Sequence, residues 1–457
     1  MSLQRTSLFA GPLIAIFAAW LCMQNGQSFA LAVTVAVTIC CAIWWLTEPL
    51  PAPVTALLPL AILPLLGVLT AKEVAQSYGH ELILLLAGGF MLSRALEKSG
   101  AHQRLAMSMV SAFGGRSGRH LLYGFIAATG FISMWISNTA TTLLMLPVAI
   151  AVLETYPDKR LEMPLVLSIA YAASIGGMGT PIGSPPNLVF MQVYEQTTGV
   201  AYGFFDWMKV GVPVVILGLT SLAIWLGRNL KTSPTAELPQ IGRWTPAERR
   251  VLIVFALTAA AWIFRTEPFG GWSEWLTLDK ANDASVALIA VIVLCLIPDG
   301  REGRLLDWAS AEKIPWGALV LFGGGIALAT AFDKSGLSDA IGQHLTGLRD
   351  LPLPLLLLGL MTGVVLLSEI ASNTATAVLL MPILAATAKA INVEPALLMY
   401  PAVLAASVGF MLPVATAPNA IAYGTGRIST RQMIKEGAVL DVLCVIVLSV
   451  VCWIAFS

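Results

Sequence analysis

Long apolar stretches separated by short polar joints run along the chain from Leu8 almost to Phe456. A helix needs about 20 residues to cross the hydrocarbon core of a membrane. The pattern therefore predicts an all-α polytopic membrane protein. Its eleven expected spans lie near residues 8–25, 29–46, 54–70, 81–97, 163–190, 211–227, 251–265, 284–298, 315–331, 397–424 and 437–456.

Two further apolar regions are each interrupted by the same polar triplet, Ser-Asn-Thr, at residues 137–139 and 372–374. At about 1.5 Å per residue, the arms on either side of each triplet are too short for a secure crossing. We therefore predict two re-entrant hairpins, 121–154 and 353–390. Lipid cannot satisfy free backbone groups, so the tips of such hairpins must face protein or a wet cavity.

The distribution of Lys and Arg gives this layout an orientation. With the N-terminus inside and the hairpins not crossing, 18 of these residues fall in cytoplasmic segments and seven outside, while Arg94 lies near a span end. Positive residues concentrate on the cytoplasmic side of membrane proteins. We expect a multi-pass protein of the inner (cytoplasmic) membrane with an external C-terminus. The first 30 residues also have the features of a cleaved signal peptide, with Arg5, an apolar run from Leu8 and a small-residue exit near Ser28. The many later spans favour a retained first helix instead.

The second half of the chain repeats the first at an offset of about 235 residues. The match covers the SNTATTLLMLP run from Ser137 and the SNTATAVLLMP run from Ser372, together with Gly-rich and Pro-Asn segments on either side. Because the first tip is entered from the cytoplasm and the second from outside, the two copies have opposite orientation, which is typical of transporters. The domains expected are scaffold helices 1–80, a first repeat 81–227, a cytoplasmic linker 228–250, scaffold helices 251–314 and a second repeat 315–457. A duplication that serves only packing is the alternative.

Composition excludes several other classes of protein. Hydrophobic residues make up 57% and charged residues 11% of the chain, against about 25% charged residues in soluble domains. The net charge is zero, so no basic surface for nucleic acid is expected. All six cysteines lie in apolar segments without zinc or disulfide spacing. No zinc-protease motif, aspartate dyad or serine with a nearby base lies within the membrane segments, so an enzyme is not expected. We expect no organic cofactor.

The triplets carry the chemistry of a binding site. Ser, Asn and Thr are helix N-caps, and each triplet precedes a helical arm, so each tip should present free N–H groups and a positive dipole end to an anion. Asn and Thr side chains can also donate to a carboxylate, and Asn and Ser oxygens can accept a hard cation. The spans 163–190 and 397–424 are broken by prolines that free carbonyl groups, a second source of cation ligands. Capped turns and plain proline kinks are the structural alternatives.

Glu369 stands beside the second tip, where the first copy has Met134. It is a candidate proton site or substrate sensor, although structural hydrogen bonding is the simpler interpretation. The four histidines have no ligand spacing, and we assign them no role.

At these residues the chain resembles the divalent anion/sodium symporter family, carriers of dicarboxylates, tricarboxylates or sulfate, over nearly its whole length. The resemblance implies a homodimer with an elevator-type motion and two sodium sites. The first site would use Ser133, Ser137, Asn138 and Gly183, and the second Ser368, Ala371, Asn373 and Ala415. Substrate carboxylates would meet Asn138, Thr139, Ser184, Asn373, Thr374 and Thr416. The chain departs from the family at Ala417, where a proline is expected.

The function expected is sodium-coupled symport of C4 dicarboxylates such as succinate, malate or fumarate. Two alternatives share the fold: a sodium-independent dicarboxylate exchanger, and a sulfate or tricarboxylate carrier. The sequence does not separate them.

Overall fold

The computed structural model of the chain describes residues 3–113, 117–156, 158–230, 242–267, 270–278, 280–345 and 352–456. Within these residues the protein contains 23 α-helices and no β-strand, which confirms the all-α fold. Residues 231–241, about half of the expected linker 228–250, lie outside the described residues. So do Arg116, Lys231 and Arg349, three of the Lys and Arg residues from which the orientation was predicted.

Nine helices lie outside the two repeats. Five precede the first repeat: α1 (Leu3–Gln24), α2 (Phe29–Thr47), α3 (Ala52–Thr55), α4 (Leu57–Leu65) and α5 (Ala71–Tyr78). Four lie between the repeats: α13 (Pro246–Ile263), α14 (Gly271–Trp275), α15 (Asp283–Leu296) and α16 (Trp308–Ala311).

The two repeats contain the same seven helices in the same order. The first consists of α6 (Glu81–Ser99), α7 (Ala101–Phe113), α8 (Gly118–Ser133), α9 (Asn138–Thr155), α10 (Glu162–Gly176), α11 (Pro185–Thr198) and α12 (Phe204–Gly227). The second consists of α17 (Trp316–Ser335), α18 (Leu337–Leu345), α19 (Leu353–Ser368), α20 (Asn373–Ile391), α21 (Pro395–Ala405), α22 (Ala417–Gly424) and α23 (Thr430–Phe456).

Seven helical segments of the described chain are long and apolar enough to cross a membrane. Six of them overlap predicted spans, and the seventh, Asn373–Ile391, is the second arm of the second hairpin. The expected continuous span at 54–70 is instead divided into α3 and α4, because several prolines interrupt backbone hydrogen bonding there. The count of eleven crossings stays a prediction.

Paired glycines bring the first helix of each repeat close to its neighbours. A Cβ atom on Gly88 of α6 would lie 2.7 Å from the Cβ of Ala287 in α15. A Cβ atom on Gly324 of α17 would lie 2.7 Å from the carbonyl oxygen of Ala56. Small residues allow such close approach between helices in membrane proteins. The matching glycine motifs of the two repeats therefore serve helix packing.

Each repeat contains a helix hairpin and a broken helix. The hairpins are α8–α9 and α19–α20, and the broken helices are α10–α11 and α21–α22, with breaks at residues 177–184 and 406–416. The second half of each broken helix packs on the hairpin of the other repeat: α11 contacts α20, and α22 contacts α9. This exchange brings both tips and both breaks to one place in the molecule.

Candidate functional site

The two hairpin tips line a single cavity of about 1140 Å³. It is bounded by residues of both tips and both breaks, although these segments are far apart in sequence. All six side chains expected to bind substrate line it: Asn138, Thr139, Ser184, Asn373, Thr374 and Thr416. The structure thus gathers these residues, while their role in binding stays a prediction.

The serine of each triplet caps the helix that follows it. Ser137 Oγ accepts a hydrogen bond from the Ala140 N–H at 3.3 Å, and Ser372 Oγ accepts one from the Ala375 N–H at 3.5 Å. Helices α9 and α20 therefore begin at Asn138 and Asn373. The first N–H groups of a helix have no partner within it, and its N-terminus carries a partial positive charge. Both tips consequently present positively polarised helix N-termini to the cavity, and the capping predicted from the sequence is confirmed.

Oxygen atoms cluster beside the first tip. Ser133 Oγ donates to Asn138 Oδ1 at 2.7 Å, which fixes the amide oxygen. A Cβ atom on Gly183 would lie 2.7 Å from the carbonyl oxygen of Gly177 and 3.0 Å from that of Met134. Ser133, Asn138 and the first break therefore meet as expected for the first sodium site. The hydroxyl of the fourth expected residue, Ser137, is occupied as the helix cap.

The second tip repeats this arrangement with one further acceptor. Ser368 Oγ lies 2.9 Å from Asn373 Oδ1 and 2.6 Å from the carbonyl oxygen of Ala406, and its single hydroxyl hydrogen is donated to one of them or shared between them. A Cβ atom on Gly409 would lie 3.4 Å from both the Ser368 carbonyl oxygen and the Cβ of Ala415. Ala371 and Ala415 also line the cavity. The residues expected at the second sodium site are thus close together around the second break.

Two asparagines, to which the sequence analysis gave no role, hold the breaks in shape. Asn187 Nδ2 donates to the carbonyls of Gly177 and Thr180 at 2.9 and 2.8 Å. In the second repeat, Asn419 Nδ2 donates to Gly409 and Leu412 at 2.8 and 3.0 Å. The matched Pro-Asn pairs after each break were the signal that could have identified them.

The two breaks differ at their polar ends. Thr416 Oγ1 accepts from the Asn419 N–H at 3.1 Å and caps α22, whereas Ser184 makes no such bond with α11. The hydroxyl of Ser184 is therefore free to accept a bond from a ligand. Ala417 occupies the position where the family has a proline, but the cap at Thr416 forms without it.

Glu369 bonds to the backbone of the second break. Its two carboxylate oxygens accept from the N–H groups of Met411 and Leu412 at 2.8 and 2.9 Å, and the residue is 3% exposed. Its observed role is thus hydrogen bonding to the loop that carries the second set of carbonyl groups.

The cavity is also lined by polar residues of other segments, including Arg94, Glu97, His102 and Lys313. These lie at or beside segments that the charge distribution places in the cytoplasm. Arg94 is paired with Glu97, and burial lowers the pKa of His102. No Lys or Arg lies at the tips or breaks. An anion at the tips would therefore depend on helix ends, neutral donors and bound cations.

The described residues contain no group of three or more His, Cys, Asp or Glu side chains suited to a metal ion. The six cysteines are free thiols. The oxygen-rich tips and breaks are the part of the described structure suited to a hard cation.

The relatives of this chain are membrane transporters. The citrate transporter family (CitMHS) matches residues 42–400 and 354–457. A sodium-dependent dicarboxylate transporter, SdcS, from Staphylococcus saprophyticus is 37% identical over 98% of this chain and 90% of its own length. The SdcS of Staphylococcus aureus strain USA300 is 35% identical over the same shares.

Two solved structures share the fold at low identity. The YdaH transporter of Alcanivorax borkumensis has a TM-score of 0.58 and 14% identity, covering 84% of this chain and 88% of its own. MtrF of Neisseria gonorrhoeae has a TM-score of 0.58 and 12% identity, covering 84% of this chain and 83% of its own. The two structures thus share the multi-helix fold of this chain. The chain is a multi-pass membrane transporter that belongs to the citrate transporter family, and its resemblance to divalent anion/sodium symporters is confirmed.

Proposed function

We propose that this protein carries C4 dicarboxylates such as succinate, malate or fumarate into the cell together with sodium. The observation that carries the proposal is the meeting of two helix N-termini and two oxygen-rich breaks at one cavity. Helix N-termini favour anions, and carbonyl and amide oxygens favour hard cations. The SdcS relatives are named as sodium-dependent dicarboxylate transporters.

In this proposal each hairpin tip binds one substrate carboxylate and one sodium ion. One substrate carboxylate binds Asn138, Thr139 and Ser184, and the other binds Asn373, Thr374 and Thr416. Two sodium ions lie behind the tips, at Ser133, Ser137, Asn138 and Gly183 and at Ser368, Ala371, Asn373 and Ala415. Two monovalent cations balance the charge of a dianion at tips and breaks that contain no Lys or Arg, which makes transport dependent on the sodium gradient.

Transport then proceeds by alternating access in a homodimer of the inner membrane, by an elevator-type motion of the hairpins and broken helices. The two matched repeats support this, because inverted halves can exchange conformations around a fixed site. The cavity reaches residues of predicted cytoplasmic segments, so we assign the present conformation to the state open to the cytoplasm. In this topology the N-terminus is cytoplasmic and the C-terminus external.

The test is uptake of labelled succinate by proteoliposomes with and without an inward sodium gradient, with choline replacing sodium in the control. Uptake driven by sodium supports symport. Succinate counterflow that is indifferent to sodium would establish the exchanger instead. Competition by unlabelled fumarate, citrate and sulfate then identifies the substrate class, and stronger competition by citrate or sulfate than by fumarate would contradict a C4 substrate.

A further inference from the structure

Two buried carboxyl groups bind the second helix break. Asp441 Oδ1 accepts from the Phe410 N–H at 3.2 Å, and Glu369 accepts from the next two N–H groups of the chain. Glu369 is 3% and Asp441 5% exposed, and the backbone N–H groups that they bind are consecutive in the chain. Three successive backbone donors are thus held by acidic side chains from α23 and the second tip.

The first repeat has an apolar pair at the same place. A Cβ atom on Gly179 would lie 2.8 Å from Met134 Cε and 3.2 Å from Val215 Cγ2. Met134 matches Glu369 in the repeat. Val215 matches Asp441 in the repeat. Each of the two lies four residues after a glycine, and the two glycines pack on equivalent carbonyl groups, that of Met178 in the first repeat and that of Phe410 in the second.

The first break satisfies its own backbone by local turns. The N–H groups of Met178 and Gly179 donate to carbonyls three residues earlier, at 3.1 and 2.9 Å. A helix break in this fold therefore does not require acidic side chains. Their presence in one repeat only places acidic groups beside the second tip and not beside the first.

The acidic pair has no cationic partner among the described ion pairs. The nearby Glu436 is paired with Arg228 at 2.7 Å, and the Tyr171 hydroxyl donates to the Phe410 carbonyl at 2.8 Å. Both oxygens of Glu369 accept hydrogen bonds from backbone N–H groups, and such bonds stabilise a negative charge on a carboxylate. A buried charge without a partner is costly. Glu369 directly follows Ser368, so a cation at the second tip would compensate this charge.

We propose that Glu369, supported by Asp441, makes the second sodium site the tighter of the two. Glu369 acts as a positioning residue whose charge attracts the ion, while the ligands remain the oxygens around Ser368 and Asn373. The first site has no such charge. The inference rests on the proposed sodium sites, and it adds that the two repeats, although matched in fold, differ in cation affinity.

The experiment measures sodium binding without substrate. Purified protein is titrated with NaCl against choline chloride at constant ionic strength, with thermal stability as the readout, and the sodium dependence of succinate uptake is measured in parallel.

Glu369→Gln should raise the half-effect concentration, the sodium concentration that gives half of the full stabilisation, by about tenfold or more. This is expected for the loss of a nearby charge in a partly buried site. Glu369→Asp keeps the charge but loses hydrogen bonds, so it should lower thermal stability while leaving the half-effect concentration close to that of the wild type. Asp441→Asn should raise that concentration by less than Glu369→Gln. Met134→Gln, the matched control in the first repeat, should leave it unchanged.

Several outcomes would overturn the proposal. An unchanged half-effect concentration in folded Glu369→Gln would assign Glu369 a structural role only, as would an equal shift in Met134→Gln. Should Glu369→Gln not fold, an unchanged sodium dependence in Asp441→Asn overturns the proposal instead. If sodium stabilises the wild type but succinate is not carried, the substrate assignment fails and this inference stands. If sodium does not stabilise the wild type relative to choline, the inference fails.

Discussion

Asn187 and Asn419 make the same pair of hydrogen bonds in the two repeats. Each donates both amide hydrogens to carbonyls ten and seven residues earlier, across the break that precedes it. Both residues are fully buried. Each side chain replaces the backbone donors that the interrupted helix would have supplied and so fixes the direction of the free carbonyls beside it.

Replacing either residue by aspartate should strongly reduce transport. The carboxylate would face two carbonyl oxygens instead of donating to them, and each buried bond lost leaves a group unsatisfied at about 1–3 kcal/mol. Sodium-driven uptake by Asn187→Asp and by Asn419→Asp should therefore fall by about tenfold or more. Asn25→Asp, at an exposed helix end, is the matched control and should transport normally. Uptake at the wild-type rate by Asn187→Asp or Asn419→Asp would show that the pair of hydrogen bonds across that break is dispensable.

The tip asparagines should be essential individually. Asn138→Ala and Asn373→Ala remove the amide oxygen that accepts from Ser133 or Ser368, together with the donor that faces the cavity. Each should abolish sodium-driven succinate uptake while the protein still elutes as a folded species by size-exclusion chromatography. Retained uptake in one variant removes that residue from the proposed site.

The serines behind the tips should differ in importance. Ser368 Oγ lies within hydrogen-bond distance of two acceptor oxygens, whereas Ser133 Oγ has one, so Ser368→Ala leaves two oxygens without their donor. Ser368→Ala should therefore raise the sodium requirement for uptake more than Ser133→Ala. A net hydrogen bond contributes about 0.5–1.5 kcal/mol, so we expect roughly two- to tenfold increases. Ser368→Thr and Ser133→Thr keep the hydroxyl group and are the controls. Equal increases in the sodium requirement of the two alanine variants would contradict the predicted difference between the two serines.

Labelling of introduced cysteines tests the orientation. Glu267 and Arg301 are exposed and lie in segments predicted to be external and cytoplasmic. In a variant lacking the six native cysteines, Glu267→Cys should react with an impermeant maleimide in intact cells. Arg301→Cys should react only after permeabilisation. The reverse pattern would place the N-terminus outside.

An ion pair joins the first repeat to the segment before the second. Lys98 Nζ lies 2.5 Å from Asp307 Oδ2, and this bond lowers the pKa of Asp307 to about 2. Because the folded-state pKa is below the unfolded value of about 3.9, the pair stabilises the protein above that value and the contribution is lost as pH falls toward 2. The pair is partly exposed, so Asp307→Asn should cost at most about 1 kcal/mol at pH 7. The thermal stability of this variant should fall less than that of the wild type between about pH 4 and pH 2.

The hairpins, breaks and repeat could be predicted from the sequence because their signals are local. Apolar runs interrupted by Ser-Asn-Thr, capping residues and prolines act within a few residues of where they stand. The helix starts at Asn138 and Asn373 follow from the serine that precedes each. Locality also explains the error at 54–70, since hydrophobicity alone predicted a continuous span that the prolines divide.

By itself, then, the sequence determined which segments are helical, where the helices break and which polar residues stand at the breaks. Only the tertiary structure decided which of these meet. The packing of α11 on α20 and of α22 on α9 brings the tips to one cavity, and Glu369 reaches a backbone more than 40 residues away. Such contacts depend on how helices distant in sequence pack together, and no local pattern of residues specifies that packing.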